Sequence, residues 1–325
     1  MKNINYQKIC SHLLSDLNKR QKEVISRRFG LKRKERETLE FIGKDFGICR
    51  ERVRQIQKVS LEKIKPKTEK HQKAFCYFIQ YLKGFGGLRR EDVLLEGLGG
   101  KDQKNEVYFL LNLREPFQRF NENEDFHSLW TINKDSYLLA KKIITTLGGK
   151  LNKRKKPLSL ESLNSYVSLG EKGLISYLEA SKKIQKNQED LYGLSDWPEI
   201  NPRGIKDKAY LAFKKAGKPL HFSEAASLIE DSHIQTVHNE LIKDKRFVLV
   251  GRGIYALSEW GYYPGQVKDI ILKILKEAEK PLTREDVLNK VLKQRLVRKN
   301  TVLLNLSNKQ YFLKDPEGRY RIKEV

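Results

Sequence analysis

Between positions 39 and 56 the apolar residues are Leu39, Ile42, Phe46, Ile48, Val53 and Ile56. Two short helices packed across a tight turn need apolar side chains at these places, because these are the positions that face the partner helix. Gly43 falls where the two helices approach closest. Gly47 falls in the turn, where glycine is free to take a positive φ. The pattern predicts a helix-turn-helix over residues 38–57. On its second helix Val53, Ile56 and Ser60 turn inward at helical spacing. Glu51, Arg54, Gln55 and Lys58 then share the outward face, with Arg50 at the helix start.

Beyond residue 70 the pattern repeats. Four stretches end alike, around Trp130, Trp197, Trp260 and Val325, at intervals of roughly 65 residues. Earlier in each stretch a second anchor recurs: Gly87-Leu88, Pro157-Leu158, Pro219-Leu220 and Pro281-Leu282. Each unit reads as an apolar-periodic helix, an extended step with Ser or Thr available to cap a second helix, a third helix, and two short alternating strands. That order is a winged helix. The expected fold is mainly α: an N-terminal helix-turn-helix domain over 1–70, followed by four tandem winged-helix units with short β-hairpins at 71–133, 134–200, 201–263 and 264–325. The tryptophans are expected to pack within or between units rather than to stack on bases.

Charge adds a partner. The chain carries 65 Lys+Arg against 41 Asp+Glu, a formal net charge of +24. Residues 1–70 hold +11 of it, and the four following units hold −1, +4, +3 and +7. Concentration of this kind is the electrostatic footprint of phosphate binding. The first repeat then reads as a spacer or protein-binding module. The fourth, with Arg295, Arg298, Lys299 and Asn300 opening its third helix, reads as a second DNA contact. Arg252 at the hairpin tip of the third repeat is either a minor-groove contact or a solvated turn residue. Lys150, Lys153, Arg154, Lys155 and Lys156 either grip phosphate or form a solvated loop.

Other classes of function find little support. No apolar run approaches the roughly 18 residues of a membrane helix, and the N-terminus lacks a signal-peptide core. Cys10, Cys49 and Cys76 show no CxxC pairing, which fits a reducing cytosol, so a cytoplasmic location is expected. His233 and His238 lack zinc-ligand spacing. Gly84-Phe85-Gly86-Gly87 and Gly97-Leu98-Gly99-Gly100 precede no Gly-Lys-Ser/Thr and do not make a phosphate loop. No enzymatic activity, cofactor, metal or small-molecule substrate is expected.

The outward face of the 50–58 helix carries base-reading chemistry. Arg can donate twice to guanine, Glu can accept from the cytosine amino group, and Gln can bind adenine. Glu51 weakens attraction to phosphate on an otherwise cationic face, so either a base contact or a pair with a neighbouring Arg accounts for it. With Leu14-Ser15-Asp16-Leu17-Asn18 through Arg28-Phe29-Gly30-Leu31 upstream, and Arg50-Glu51-Arg52-Val53-Arg54-Gln55-Ile56 through Leu61-Glu62-Lys63-Ile64, residues 10–65 resemble region four of the housekeeping class of bacterial RNA polymerase sigma factors. The resemblance implies binding of promoter −35 DNA and docking on the β flap of RNA polymerase. It makes Arg50, Glu51 and Gln55 base readers and Arg54 a further contact. Arg36 and Lys58 complete the expected double-stranded DNA surface. Cys49 stands where the family has a capping Thr or Ser, and Gln57 where Glu is usual. Only about ten residues precede the resemblance, so a complete sigma factor is not expected.

Residues 205–261 resemble the HARE-type helix-turn-helix family, which includes the N-terminal domain of the RNA polymerase delta subunit. The residues that carry this are Ala216-Gly217-Lys218-Pro219-Leu220, Thr236-Val237-His238-Asn239-Glu240-Leu241 and Gly251-Arg252-Gly253-Ile254-Tyr255-Ala256-Leu257. The expected function is a sequence-specific DNA-binding transcription regulator that also contacts RNA polymerase. The alternatives are a delta-like polymerase-associated protein and a DNA-binding component of a restriction or modification system.

Overall fold

A computed structural model of the chain describes residues 4–32, 35–278 and 280–323. The molecule is mainly helical with small antiparallel sheets. It divides into two compact units, one ending at Asp196 and one beginning at Trp197.

The first unit opens with α1 (Tyr6–Leu14), α2 (Lys19–Phe29), α3 (Leu39–Asp45) and α4 (Arg50–Ile64), followed by a 3-10 stretch, Lys65–His71. Local chemistry sets these boundaries. Asn18 and Gln21 form a capping box at the start of α2, and Gly30 ends that helix at a φ of 67°. The Thr38 side chain caps α3. Cys49 precedes α4 without any side-chain cap, as expected of a thiol.

From residue 72 onward one order of elements recurs four times: helix, short extended step, helix, helix, strand, strand. In the first segment these are α5 (Gln72–Gly84), β1 (Leu88–Arg90), α6 (Glu91–Gly99), α7 (Lys104–Leu111), β2 (Gln118–Phe120) and β3 (Leu129–Thr131), with sheet order β1-β3-β2. The second has α8 (Lys134–Arg154), α9 (Leu160–Asn164), α10 (Glu171–Ala180), β4 (Ile184–Lys186) and β5 (Tyr192–Leu194). The second unit of the molecule continues with α11 (Gly204–Ala216), β6 (Leu220–His221), α12 (Phe222–Ser227), α13 (Ile234–Lys243), β7 (Phe247–Gly251) and β8 (Ile254–Leu257). It ends with α14 (Val267–Ala278), α15 (Arg284–Gln294), α16 (Lys299–Leu306), β9 (Phe312–Lys314) and β10 (Tyr320–Ile322).

The repeated leucine has one job in all four segments. Leu88, Leu158, Leu220 and Leu282 each pair with the last strand, at Thr131, Tyr192, Tyr255 and Tyr320. All four are buried. In the second and fourth segments this step is a single bridge rather than a strand. Ser159 and Thr283 cap the helices that follow, as the sequence suggests. In the third segment the cap is the His221 ring nitrogen rather than Ser223, and Arg90 in the first supplies no side-chain cap. The tryptophans are not equivalent either. Trp130 lies within β3 at 1% exposure, whereas Trp197 and Trp260 follow their hairpins and are half-buried.

One core runs from Tyr6 to Trp130, joining α1 and α2 to α5–α7 across the change of sequence pattern at residue 70. Phe29 of α2 meets Phe109 of α7 edge to face at 5.1 Å. The helix-turn-helix has a small core of its own, in which Val24 joins Ile42 and Val53. Among the described residues no helix is long and apolar enough to cross a membrane.

Candidate nucleic-acid interface

The turn between α3 and α4 is built as the apolar pattern requires. Leu39, Phe46, Ile48 and Ile56 pack around the Val24–Ile42–Val53 core. A Cβ on Gly43 would lie 2.7 Å from the carbonyl oxygen of Ile48, so only glycine fits there. Gly47 holds a φ of 62° in the turn. Arg27, 8% exposed, locks the motif from α2. Its guanidinium donates to Glu37 at 2.8 Å and to Asp45, at the end of α3, at 2.6 Å. An ion pair held this way fixes the angle at which α3 leaves α2.

With Val53, Ser60 and Ile64 turned inward, α4 presents Arg50, Glu51, Arg54, Gln55 and Lys58 to solvent. Contacts within α4 order this face, among them an ion pair of Lys58 with Glu62 at 4.0 Å. Arg54 donates to both carboxylate oxygens of Glu51, at 2.8 and 2.7 Å. This hydrogen-bonded pair holds the Glu51 carboxyl below its usual pKa and raises that of Arg54. The Arg52 guanidinium donates to the Gln55 amide oxygen at 3.1 Å. The neighbouring-arginine account of Glu51 therefore describes the DNA-free protein. Base contact stays chemically open, since a carboxylate has about four acceptor sites and Arg54 uses two of them. The Gln55 side chain also hydrogen-bonds the Glu51 carboxylate, so its amide is shared between Arg52 and Glu51 in the DNA-free protein. Arg52 belongs to this surface and was not singled out in the sequence. Its outward position follows from the same helical spacing.

The remaining sequence-predicted residues lie elsewhere. Arg36 stacks on the Tyr108 ring of α7 at 3.6 Å, and its Nε donates to Asn105 at 3.0 Å. It is thus tied to the first segment rather than aligned on α4. In the second unit Arg252 is exposed at the β7–β8 turn, followed by Gly253 at a φ of 71°. Arg298 and Lys299 are exposed at the start of α16. Arg295 is a correction. It is 3% exposed and donates to the backbone carbonyls of Tyr263, Gly265 and Gln294, so it satisfies buried backbone and is not offered to a partner.

The third helices of the four segments differ in what covers them. α7 packs on α1 and α2, with the Tyr6 amide donating to Gln103 just ahead of it. α10 lies against the first segment: the Tyr177 hydroxyl donates to the Gly86 carbonyl at 2.8 Å, and Ser176 donates to the Leu88 carbonyl. Neither helix is free to enter a groove of DNA. α13 exposes Ile234, Gln235, Thr236, Asn239, Ile242 and, at its end, Lys243. α16 exposes Lys299, Asn300, Thr301 and Leu304.

Comparison with known proteins agrees with this geometry at the N-terminus. Residues 13–65 match the family described as Sigma-70, region 4, in agreement with the helix-turn-helix seen here. A 65-residue stretch is 42% identical to the RNA polymerase sigma factor RpoS of Coxiella burnetii (strain RSA 493 / Nine Mile phase I). It covers 20% of this chain and 18% of that relative. The similarity is therefore one of a segment.

Proposed function

We propose that the chain is a sequence-specific, promoter-binding transcription regulator that reads DNA with α4 and also contacts RNA polymerase. The observation that carries this reading is the outward face of α4. It is a charged, base-competent surface on a closed helix-turn-helix of the sigma region 4 type. Arg50, Glu51 and Gln55 meet base edges in the major groove, and Arg54 and Lys58 add further DNA contacts. Arg36 approaches the same duplex from the side of α7. The relative's name, an RNA polymerase sigma factor, supports polymerase as the second partner, with residues 10–65 docking on the β flap.

The four repeated segments act in this reading as winged-helix modules, with 205–261 of the HARE type. Arg252 on the hairpin of the third and Arg298 and Lys299 on α16 of the fourth supply auxiliary DNA contacts. A polymerase-associated, delta-like role is the second reading. The two exposed isoleucines of α13, Ile234 and Ile242, beside a single exposed cation, Lys243, suit protein better than DNA.

Site selection by the full chain on random duplexes, followed by Gln55→Ala and Glu51→Ala, tests the first reading. A preferred sequence should emerge, and each substitution should relax one position and cost about 1–3 kcal/mol there. Equal losses on preferred and random duplexes would withdraw the base-reading role. Capture of core polymerase without measurable duplex binding at low salt would favour the second reading.

A further inference from the structure

We propose that α8 is a second DNA contact, one that grips the phosphate backbone and reads no base. The inference rests on the DNA-binding reading above but on a different element. From Ser136 through Leu160 the sequence carries seven cations and no acid. The cations are Lys141, Lys142, Lys150 and the run from Lys153 to Lys156, and all are exposed. Among the described residues the nearby ion pairs are made by Lys182, Lys183 and Lys186, while Lys150 lies 5.3 Å from the centre of the Tyr166 ring and Lys141 acts on Asp125 only through space.

Geometry turns this composition into a surface. α8 buries Ala140, Ile143, Ile144, Leu147 and Leu151 as one stripe, so its cations are held on the outer side by core packing. Lys142, Thr146, Lys150 and Lys153 follow one another along that side at helical spacing. The Thr145 and Thr146 hydroxyls bond back to the carbonyls of Lys141 and Lys142 and lie close to the helix. Gly149 has nothing within 4 Å of where a Cβ would stand, so a partner can approach the backbone at the middle of the face. A helix of 21 residues is about 30 Å long, enough to follow several phosphates. Because α10 is covered by the first segment, α8 is the long open face that the second segment offers.

Duplex DNA fits better than an anionic membrane. A membrane-surface helix needs an apolar face beside its cations, and here the apolar stripe is in the core. Leu138 and Leu139 are exposed at one end only.

The test compares the full chain with Lys141→Gln, Lys142→Gln, Lys150→Gln and Lys153→Gln combined. Glutamine keeps helix propensity, and circular dichroism confirms the fold. Binding is measured over a salt series on the selected duplex, on a random duplex and on phosphatidylglycerol vesicles. Affinity for both duplexes should fall by the same factor, the ratio between them should hold, and the log–log salt slope should drop by about 3–4, near 0.9 per lost phosphate contact. Arg50→Ala with Gln55→Ala should do the reverse, lowering the ratio and leaving most of the slope. An unchanged slope in the four-lysine variant overturns the α8 contact whatever α4 does. Loss of vesicle binding alone overturns it in favour of a membrane. A flattened slope beside an α4 variant with an unchanged ratio keeps the α8 contact and removes the base-reading role.

Discussion

α4 and α10 each follow a tight turn and each bury one stripe of side chains, yet they end in opposite situations. α4 buries three of its fifteen residues, whereas α10 buries six of ten, including Gly173 and Ser176 on the side that a free helix would show to solvent. The difference lies in the outer residues. Gly173 lets the chain at Gly86 come close: a Cβ on Gly86 would sit 3.2 Å from the Gly173 Cα. Ser176 and Tyr177 then satisfy backbone carbonyls there. Glu51, Arg54 and Lys58 on α4 would have to shed their hydration to be covered in the same way, at a cost that the exposed Glu51–Arg54 and Lys58–Glu62 pairs offset only in part. Small, hydrogen-bonding outer faces become joints between segments, and charged outer faces remain available to a polyanion.

Tyr177→Ala offers the hardest test of this contrast. Removing a ring that is fully buried at the joint should destabilise the first unit by about 3–5 kcal/mol in denaturant unfolding. Tyr177→Phe should lose about 1 kcal/mol with the hydrogen bond to Gly86. Wild-type stability in the alanine variant would mean that α10 is not covered, and the contrast would fail.

The binding counterpart comes next in size. Arg50→Ala should cost about 1–3 kcal/mol on the selected duplex and relax its preference. Lys172→Ala, an exposed cation on α10, should leave the preference untouched. Fluorescence anisotropy on matched and mismatched duplexes separates the two. A shift in sequence preference from Lys172→Ala would place α10 at the bases after all.

Cys49→Ser sharpens the comparison from the other side. The first turn of α4 lacks a side-chain cap, and serine at that position should stabilise the helix-turn-helix by about 1 kcal/mol, seen as a higher thermal midpoint. No gain would indicate that the α4 amides are already satisfied.

The smallest effect is a pH dependence where α1 meets the 3-10 stretch. His71 lies 3.0 Å from His12, and burial, then the His12 charge, lowers its pKa below the ordinary 6.5. A lowered histidine binds its proton less well in the folded chain. Its contribution is therefore complete above about pH 6.5 and is lost as pH falls through the folded value. Thermal midpoints should drop on acidification in that window, and His71→Gln should flatten the drop. An equally steep profile in the variant would assign the effect to other groups.

Much of the candidate site was legible in the chain because its determinants are local. The spacing of Leu39, Ile42, Phe46, Ile48, Val53 and Ile56, with Gly43 and Gly47, specifies which faces meet and where the turn falls. The outward set on α4 then follows by helical geometry. The recurring leucine likewise marks the step that closes each small sheet, since one apolar residue must fill the same place four times. Local pattern records that a face is apolar or polar but not what will cover it. That choice depends on contacts between residues far apart in sequence: Phe29 with Phe109, Tyr177 with Gly86, Arg36 with Tyr108. Arg295 shows the consequence most plainly. In sequence it is one more cation ahead of a helix, and only the folded chain brings the carbonyls of Tyr263 and Gly265 to it and takes it out of the binding surface.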